Sequence, residues 1–533
     1  MGRQERKREK AFGDHSFRNY LIIIPTILVL ITFFTYSQSP DNGFTNWDDP
    51  GYVTGNPSIR HITPGAIAGF FSHPSASNYH PLTMISLSID YALTKKDPNA
   101  TNEGLSINAR VFHITSLVLH LLNVILVFFF IYILSGKRII VPTVAGFLFA
   151  VHPMHVESIA WISERKDVLY TFFFLAGLIC YLVYTRKKDI TWYFLTVLCF
   201  LLSLLSKPAA VVFPLVLFSV DYFMGKKQTT RSVVEKSVLL VLSVIFGIVT
   251  LLIQMKGSMT IYTYFTFFQR ILFALYGLFM YVLKLVIPIN LSAYYPYPLP
   301  GMTGQLPLLY YLIPLGMIIL GGLVIFSAKY TKVISFGFLF FVICIVLVLQ
   351  IIPVGNAIFA DRYFYVPSIG LFFIVGWYTD YLALKKTRMG RNLKYAVLSV
   401  LAIYCCVLVK LSYDRVQVWK NTETLWSDVI QKYPDGKLAY MNRGNYYASQ
   451  HLTDKALKDY AMLVQLQSQN PKVYSNIGNI YVMRGEPEKA LNAYTYSLSI
   501  DSASSAIWLN RGLTFIRVGR FKDAAGDFEK RKS

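Results

Sequence analysis

The sequence predicts an all-α protein that crosses a membrane many times and then ends in a solenoid of short helical repeats. Three observations predict it. Of the 533 residues, 54% are hydrophobic and only 15% charged, a balance that belongs to membrane-embedded chains. The apolar residues fall into runs of helix length, separated by short basic connectors. Beyond residue 436, four series of residues recur every 34 positions, the period of paired-helix repeats.

Taken in order, residues 1–19 form a basic tail, with six Lys/Arg against three Asp/Glu over 1–18. That bias places the N-terminus in the cytoplasm. The first apolar run, 21–36, reads as an anchor, because no small-residue cleavage site precedes the polar loop after it. The loop, 37–110, then lies on the far side, and it is far longer than an ordinary connection. Within it 64–71 and 81–93 look like short amphipathic helices at the interface. Apolar runs follow at 111–134, 139–151, 168–184, 190–205, 209–223, 238–254, 271–289, 308–326, 333–352, 366–384 and 395–411. Basic connectors at Lys137-Arg138, Arg186-Lys187-Lys188, Lys226-Lys227 with Arg231, and Lys385-Lys386 through Arg391 mark the cytoplasmic side.

Parity removes one run. Five lie between the two last connectors, yet an even number of crossings must separate two cytoplasmic segments. Run 271–289 contains Lys284 and adjoins an aromatic stretch at 294–300, so it is expected to be re-entrant or interfacial. About eleven spans remain, within a membrane domain at 20–412, and the C-terminal part lies outside. That part changes character near Tyr413: 413–435 reads as a lead-in helix with Trp419 and Trp426, and 436–533 as about three tetratricopeptide repeats. Gly444, Gly478 and Gly512 keep the 34-residue period, as do Ala456, Ala490 and Ala524, then Tyr460, Tyr494 and Phe528, then Asn442, Asn476 and Asn510. The small residues allow paired helices to approach closely.

The net charge of +22 would suggest a nucleic-acid binder in a soluble chain. Here the clustered base orients spans, no nucleic-acid motif appears, and no nucleic-acid partner is expected. The five cysteines all lie in apolar runs without metal-ligand spacing, as small buried hydrophobes do.

Three polar constellations fall on the same side of the membrane. In the first, Asn46-Trp47-Asp48-Asp49-Pro50-Gly51-Tyr52, two adjacent carboxylates precede a Pro-Gly bend that presents both; they serve equally as a helix cap or as a general base. The second holds His152, His155 and Glu157, then Trp161, Glu164, Arg165, Lys166 and Asp167. Its imidazoles at i and i+3 could hold a divalent metal, or simply cap a helix end at Pro153. Lys207 interrupts an apolar run nearby, as a functional group or as a snorkelling side chain. The third, 356–368, carries Asp361, Arg362, Tyr363 and Tyr365; the planar fork of Arg362 suits a phosphate. Carboxylates suit deprotonation of an acceptor hydroxyl, and fixed cations suit a leaving phosphate.

Trp47-Asp48-Asp49 in a long first loop, the His152–Glu157 block running into Ala160-Trp161 and Arg165-Lys166-Asp167, the Asp361-Arg362-Tyr363-Phe364-Tyr365-Val366-Pro367-Ser368 block and the repeat tail together resemble one family. It is that of the transmembrane-and-tetratricopeptide-repeat protein O-mannosyltransferases, of GT-C glycosyltransferase fold, here in a bacterial relative. The resemblance implies a multi-pass inner-membrane enzyme with periplasmic repeats. It would make an inverting transfer of a sugar from a polyprenyl-phosphate donor to a protein hydroxyl, with Asp48 or Asp49 as base. His152, His155, Glu157, Arg165, Lys207, Arg362 and Tyr365 are the candidate substrate-binding residues, and the repeats would hold the protein acceptor. The chain departs from the family in having about three repeats and in Pro208-Ala209 after Lys207, where an acidic neighbour is expected. Two other readings compete: a non-catalytic repeat scaffold of an envelope complex, which needs no aligned polar clusters, and a lipid-linked glycan transporter, which would more usually show two-half symmetry.

Overall fold

The computed structural model describes residues 14–94, 107–257, 265–298, 305–352, 355, 357–384 and 388–531. Residues 1–13 of the basic tail, Asn356 and the Lys385-Lys386 connector lie outside the described residues. Those described form helices and turns, with two isolated bridges and no strand among them. The chain divides into two compact units, Met1–Lys420 and Asn421–Ser533.

The first unit opens with α1 (Asp14–Thr35), and the long loop contributes α2 (Pro64–Ser72) and α3 (Pro81–Leu93). Then follow α4 (Arg110–Leu134), α5 (Ile140–Val151), α6 (Val156–Ala160), α7 (Arg165–Lys187), α8 (Ile190–Ser206), α9 (Phe213–Met224) and α10 (Thr230–Gly257). The unit closes with α11 (Phe267–Val286), α12 (Leu309–Ser327), α13 (Lys332–Ile345), α14 (Ser368–Ala383) and α15 (Arg388–Val418). By length and composition seven helices suffice to cross a membrane, or eight if the bent pair Ile140–Val151 and Pro153–Ala160 is one span. Shorter apolar helices at Ile190–Ser206, Pro208–Met224 and Lys332–Val348 join them. The protein is therefore a multi-pass membrane protein.

Polar contacts mark two opposite sides of this unit. On the side of the basic connectors, Arg138 pairs with Asp380, Lys236 with Asp221, and Lys332 donates to the Tyr222 carbonyl. On the side of the long loop, Arg110 pairs with Asp41, Thr83 donates to the Ser206 carbonyl, and Ser412 to that of Val151. Traced through these contacts, α1, α4, α5, α7 to α10 and α12 to α15 alternate between the two sides.

Helix α11 does not fit that alternation. It is continuous and, by length and composition alone, could cross. Yet Phe273 near its start packs on Tyr297 and Tyr310, and near its end Tyr281 donates to the Ala360 carbonyl while Leu285 O meets His152 Nε2. Both ends thus meet loop-side residues. Its buried residues, Phe273, Ala274, Gly277, Leu278, Tyr281 and Lys284 with Leu272 at the edge, lie mostly on one helical face, as in any helix with one side packed on the protein.

Only 11% of the apolar stretch of α10, α12 or α15 is buried, against 61% for the stretch ending in α7. The former face lipid and the latter makes the core. Where α13 crosses α14, a Cβ on Gly337 would run into the Gly370 carbonyl oxygen and the reverse, so only glycine allows this approach of two membrane helices.

In the second unit the lead-in helix α16 (Thr422–Lys432) starts later than the composition suggests, at Asn421, whose side chain caps it. Residues 413–418 instead finish α15. Three helix pairs follow: α17 (Lys437–Ser449) with α18 (Thr453–Gln465), α19 (Pro471–Met483) with α20 (Pro487–Ile500), and α21 (Ser505–Arg517) with α22 (Phe521–Lys530). The 34-residue period now has a physical cause. A Cβ at Gly444, Gly478 or Gly512 would sit 2.8, 2.6 or 2.6 Å from the ring of Tyr460, Tyr494 or Phe528 of the paired helix.

Candidate active site

The site is built on the loop side of the first unit, from four stretches of chain. The long loop has its own small core of Tyr52, Val53, Ile59, Phe70, Met84, Leu87, Ala109 and Phe112, closed by Ile162. That core fixes Trp47-Asp48-Asp49 against the turn between α6 and α7. A wide turn over Pro50–Thr54, closed by Gly55 N–H to Pro50 O at 2.9 Å, follows the two aspartates; such turns are frequent at functional sites.

The two aspartates part company here. Asp49 is buried, and its carboxylate accepts from Thr45 N–H (2.7 Å), the Thr45 hydroxyl (3.0 Å), Ser163 N–H (3.1 Å) and the Ser163 hydroxyl. Both oxygens are saturated, so Asp49 ties the loop to the head of α7. The Asp48 carboxylate is half-buried and held by none of these bonds; its surroundings are the charges of Lys166, Glu164 and Arg362. Burial pushes the Asp48 carboxyl up from its ordinary range, against the pull of Lys166.

Around it stands an ion cluster. Glu164 lies 3.2 Å from Lys166 Nζ, 3.5 Å from Lys207 Nζ and 3.3 Å from Arg362 Nε. Arg362 also pairs with Glu157 at 2.5 Å, and Lys207 with Asp167. The acids Glu157 and Glu164 are 2% exposed, whereas the Lys166, Lys207 and Arg362 side chains keep 12%, 15% and 14%. Buried carboxylates thus hold three cations whose side chains keep some exposure, which an anion could reach. Trp47 stacks on Trp161 (4.5 Å) and Trp161 on Trp419 (5.4 Å), with the Arg362 guanidinium 5.4 Å from the Trp161 ring.

Other candidates from the sequence lie elsewhere. Arg165 points away from this cluster: it pairs with Asp90 at 2.7 Å and donates to Ser116, Ser86 and the Phe112 carbonyl, with no exposure left. It anchors α7 to α3 and α4. His155 bonds the Phe149 carbonyl and Ser368, His152 meets Met154 N–H and Leu285 O, and the Tyr365 hydroxyl meets His120 and Asn123. All three are buried among aromatic rings. With Glu157 turned to Arg362, the His152, His155 and Glu157 set does not close on a metal, and no such group forms among the described residues.

Glu164, Lys166 and Asp167 belong to the second constellation in the sequence but were not among the candidate substrate-binding residues, and His80 beside the cluster was not singled out at all. Lys166 is hidden by its neighbours, since only helix phase separates it from Arg165. His80 stands at the N-cap position of α3 beside Pro81, with its ring tilted against Tyr52 at 5.2 Å and its buried Nε2 without a partner among the described residues. Burial, with Lys166 adding, pushes its imidazole down to about 3, so it is neutral. A His-Pro step opening a loop helix was the only sequence signal.

Fold and site together define a multi-pass membrane protein with a cluster of buried acids and partly exposed cations on its loop side. No family model matches the chain. Across most of its length it is similar to protein O-mannosyl-transferases. It is 23% identical to the Caenorhabditis elegans protein O-mannosyl-transferase F38B6.6, over 87% of this chain and 64% of that one. It is 24% identical to human protein O-mannosyl-transferase TMTC3, over 83% of this chain and 55% of that one. The chain therefore spans about half to two thirds of the length of these relatives. The crystal structure of ArnT from Cupriavidus metallidurans bound to undecaprenyl phosphate aligns over 90% of this chain and 80% of its own, at 11% identity and a TM-score of 0.36, a level that does not establish a shared fold.

Proposed function

We propose that this chain is a membrane glycosyltransferase of the protein O-mannosyltransferase kind, which transfers a sugar from a polyprenyl-phosphate donor to a protein hydroxyl. One observation carries the reading: Asp48, a carboxylate without a hydrogen bond among the described residues, stands in the field of Lys166 and Arg362, in a cluster where buried acids also hold Lys207. Asp48 takes the proton of the acceptor hydroxyl as its oxygen bonds to the anomeric carbon from the face opposite the phosphate. The carbon–oxygen bond to phosphate breaks, and the polyprenyl phosphate leaves with its charge facing Arg362, Lys166 and Lys207. The configuration inverts, and the proton stays on Asp48 until solvent removes it. Asp49 positions the loop and carries no proton. The loop side is the periplasmic side of a bacterial inner membrane, from the basic connectors opposite, and the helix pairs of the second unit hold the protein acceptor.

The similarity to O-mannosyl-transferases supports this reading over a scaffold or a glycan transporter. The phosphate is charged before and during reaction, so Arg362→Ala should weaken polyprenyl-phosphate binding as well as turnover. Both are measured on the purified protein in nanodiscs. Unaltered affinity and turnover in the variant would move the phosphate site away from this cluster.

A further inference from the structure

The asparagines that share the 34-residue period do more than join the helix pairs. The first helices of successive pairs, α17, α19 and α21, lie side by side, and asparagine side chains bridge them. Asn445 Oδ1 accepts from the Tyr460 hydroxyl (2.9 Å) and from Asn476 Nδ2 (2.8 Å). One repeat on, Asn479 Oδ1 accepts from the Tyr494 hydroxyl (2.6 Å) and from Asn510 Nδ2 (3.2 Å). Each rung consumes one amide oxygen fully and fixes the orientation of both amides.

What the rungs leave over is specific. In each, the Nδ2 of the first asparagine and the Oδ1 of the second have no partner among the described residues, and all four side chains are half-buried. Every rung therefore shows solvent one amide donor beside one amide acceptor, pinned in place. At the next repeat the asparagine position is Leu513 and the tyrosine position Phe528. Carboxamide and hydroxyl disappear together, so the hydroxyl serves the asparagine.

We propose that this ladder is a binding surface for the main chain of an extended polypeptide, read without regard to its side chains. The inference deepens the reading of the second unit as an acceptor holder, and it rests on that reading. An extended chain presents alternating N–H and C=O groups, and it rises about 3.3 Å per residue. A pre-ordered donor–acceptor pair on each repeat engages such a chain at intervals with little ordering cost. Main-chain recognition suits an enzyme that modifies hydroxyls in varied sequence surroundings, because the contact does not depend on what flanks the hydroxyl.

The test uses the full chain in nanodiscs and a fluorescein-labelled twelve-residue peptide of alternating Thr and Ala, followed by anisotropy. The same peptide methylated on its backbone nitrogens, which keeps the side chains and loses the donors, is the second probe. Asn445→Ala with Asn479→Ala should weaken the unmodified probe roughly tenfold, at about a two- to tenfold loss per net hydrogen bond. The methylated probe should bind wild type and variant equally weakly. No binding of the unmodified probe, unchanged binding by the double variant, or equal binding of both probes to wild type would each overturn the proposal. The methylated arm needs no variant, so a folding defect cannot mimic the result. Polyprenyl-phosphate affinity on the same samples reads the membrane unit separately: its loss would count against the glycosyltransferase reading, not against the ladder.

Discussion

The first unit buries charge at both of its ends, and the two ends use it differently. On the connector side, Asp221 is enclosed by Lys236 at 2.6 Å, the Tyr181 hydroxyl at 2.8 Å and Lys226 at 3.6 Å, and Asp380 by Arg138, itself stacked on Trp377. Here the carboxylates are the centres and the cations close them off. On the loop side the acids Glu157, Glu164 and Asp167 are buried, the three cations they hold keep some exposure, and one further carboxylate, Asp48, has no hydrogen bond among the described residues. Composition alone does not distinguish a structural charge cluster from a reactive one. A whole carboxylate left without a hydrogen bond among the described residues does.

That contrast breaks if the connector-side cluster proves dispensable for stability. Removing one partner of a buried pair leaves an uncompensated charge, so Lys236→Ala should destabilise the protein by about 3–5 kcal/mol. Denaturant unfolding in detergent reads this, and polyprenyl-phosphate affinity of the folded fraction should equal wild type. A smaller effect is expected within the site. Asp49→Asn sets a carboxamide against four donors and should cost about 1–3 kcal/mol, with transfer falling only as far as the loop loosens. If Asp49→Asn instead keeps full stability and loses turnover, Asp49 and not Asp48 is the reactive acid.

The smallest effect is on pH dependence. Asp48 must be ionised to act, and burial raises its pKa. Activity should therefore rise with pH through a limb above the ordinary aspartate value of about 3.9, seen in kcat/KM, which reports the free enzyme. A limb at or below that value would mean that Asp48 is more solvated than its setting indicates.

Much of the architecture was legible in the sequence because its causes are local. Apolar runs separated by basic connectors give the membrane-length helices, and glycines facing rings explain the 34-residue period. The site was only half legible. The choice between Asp48 and Asp49 depends on Ser163, a residue 114 positions away, and no local pattern contains that. Arg165 and Lys166 are adjacent and alike in charge, yet a turn of helix sends one to Asp90 and the other to Glu164. His152, His155 and Tyr365 have the chemistry of ligands, but tertiary packing spends their polar atoms inside the core.

The central claim is that Asp48 is the base, and the most direct measurement is single-turnover transfer alongside donor affinity for Asp48→Asn. The substitution keeps shape and removes the proton acceptor. The rate should fall roughly 10²–10⁴-fold with polyprenyl-phosphate affinity unchanged, because a base acts in the transition state. Wild-type turnover in Asp48→Asn would contradict the account.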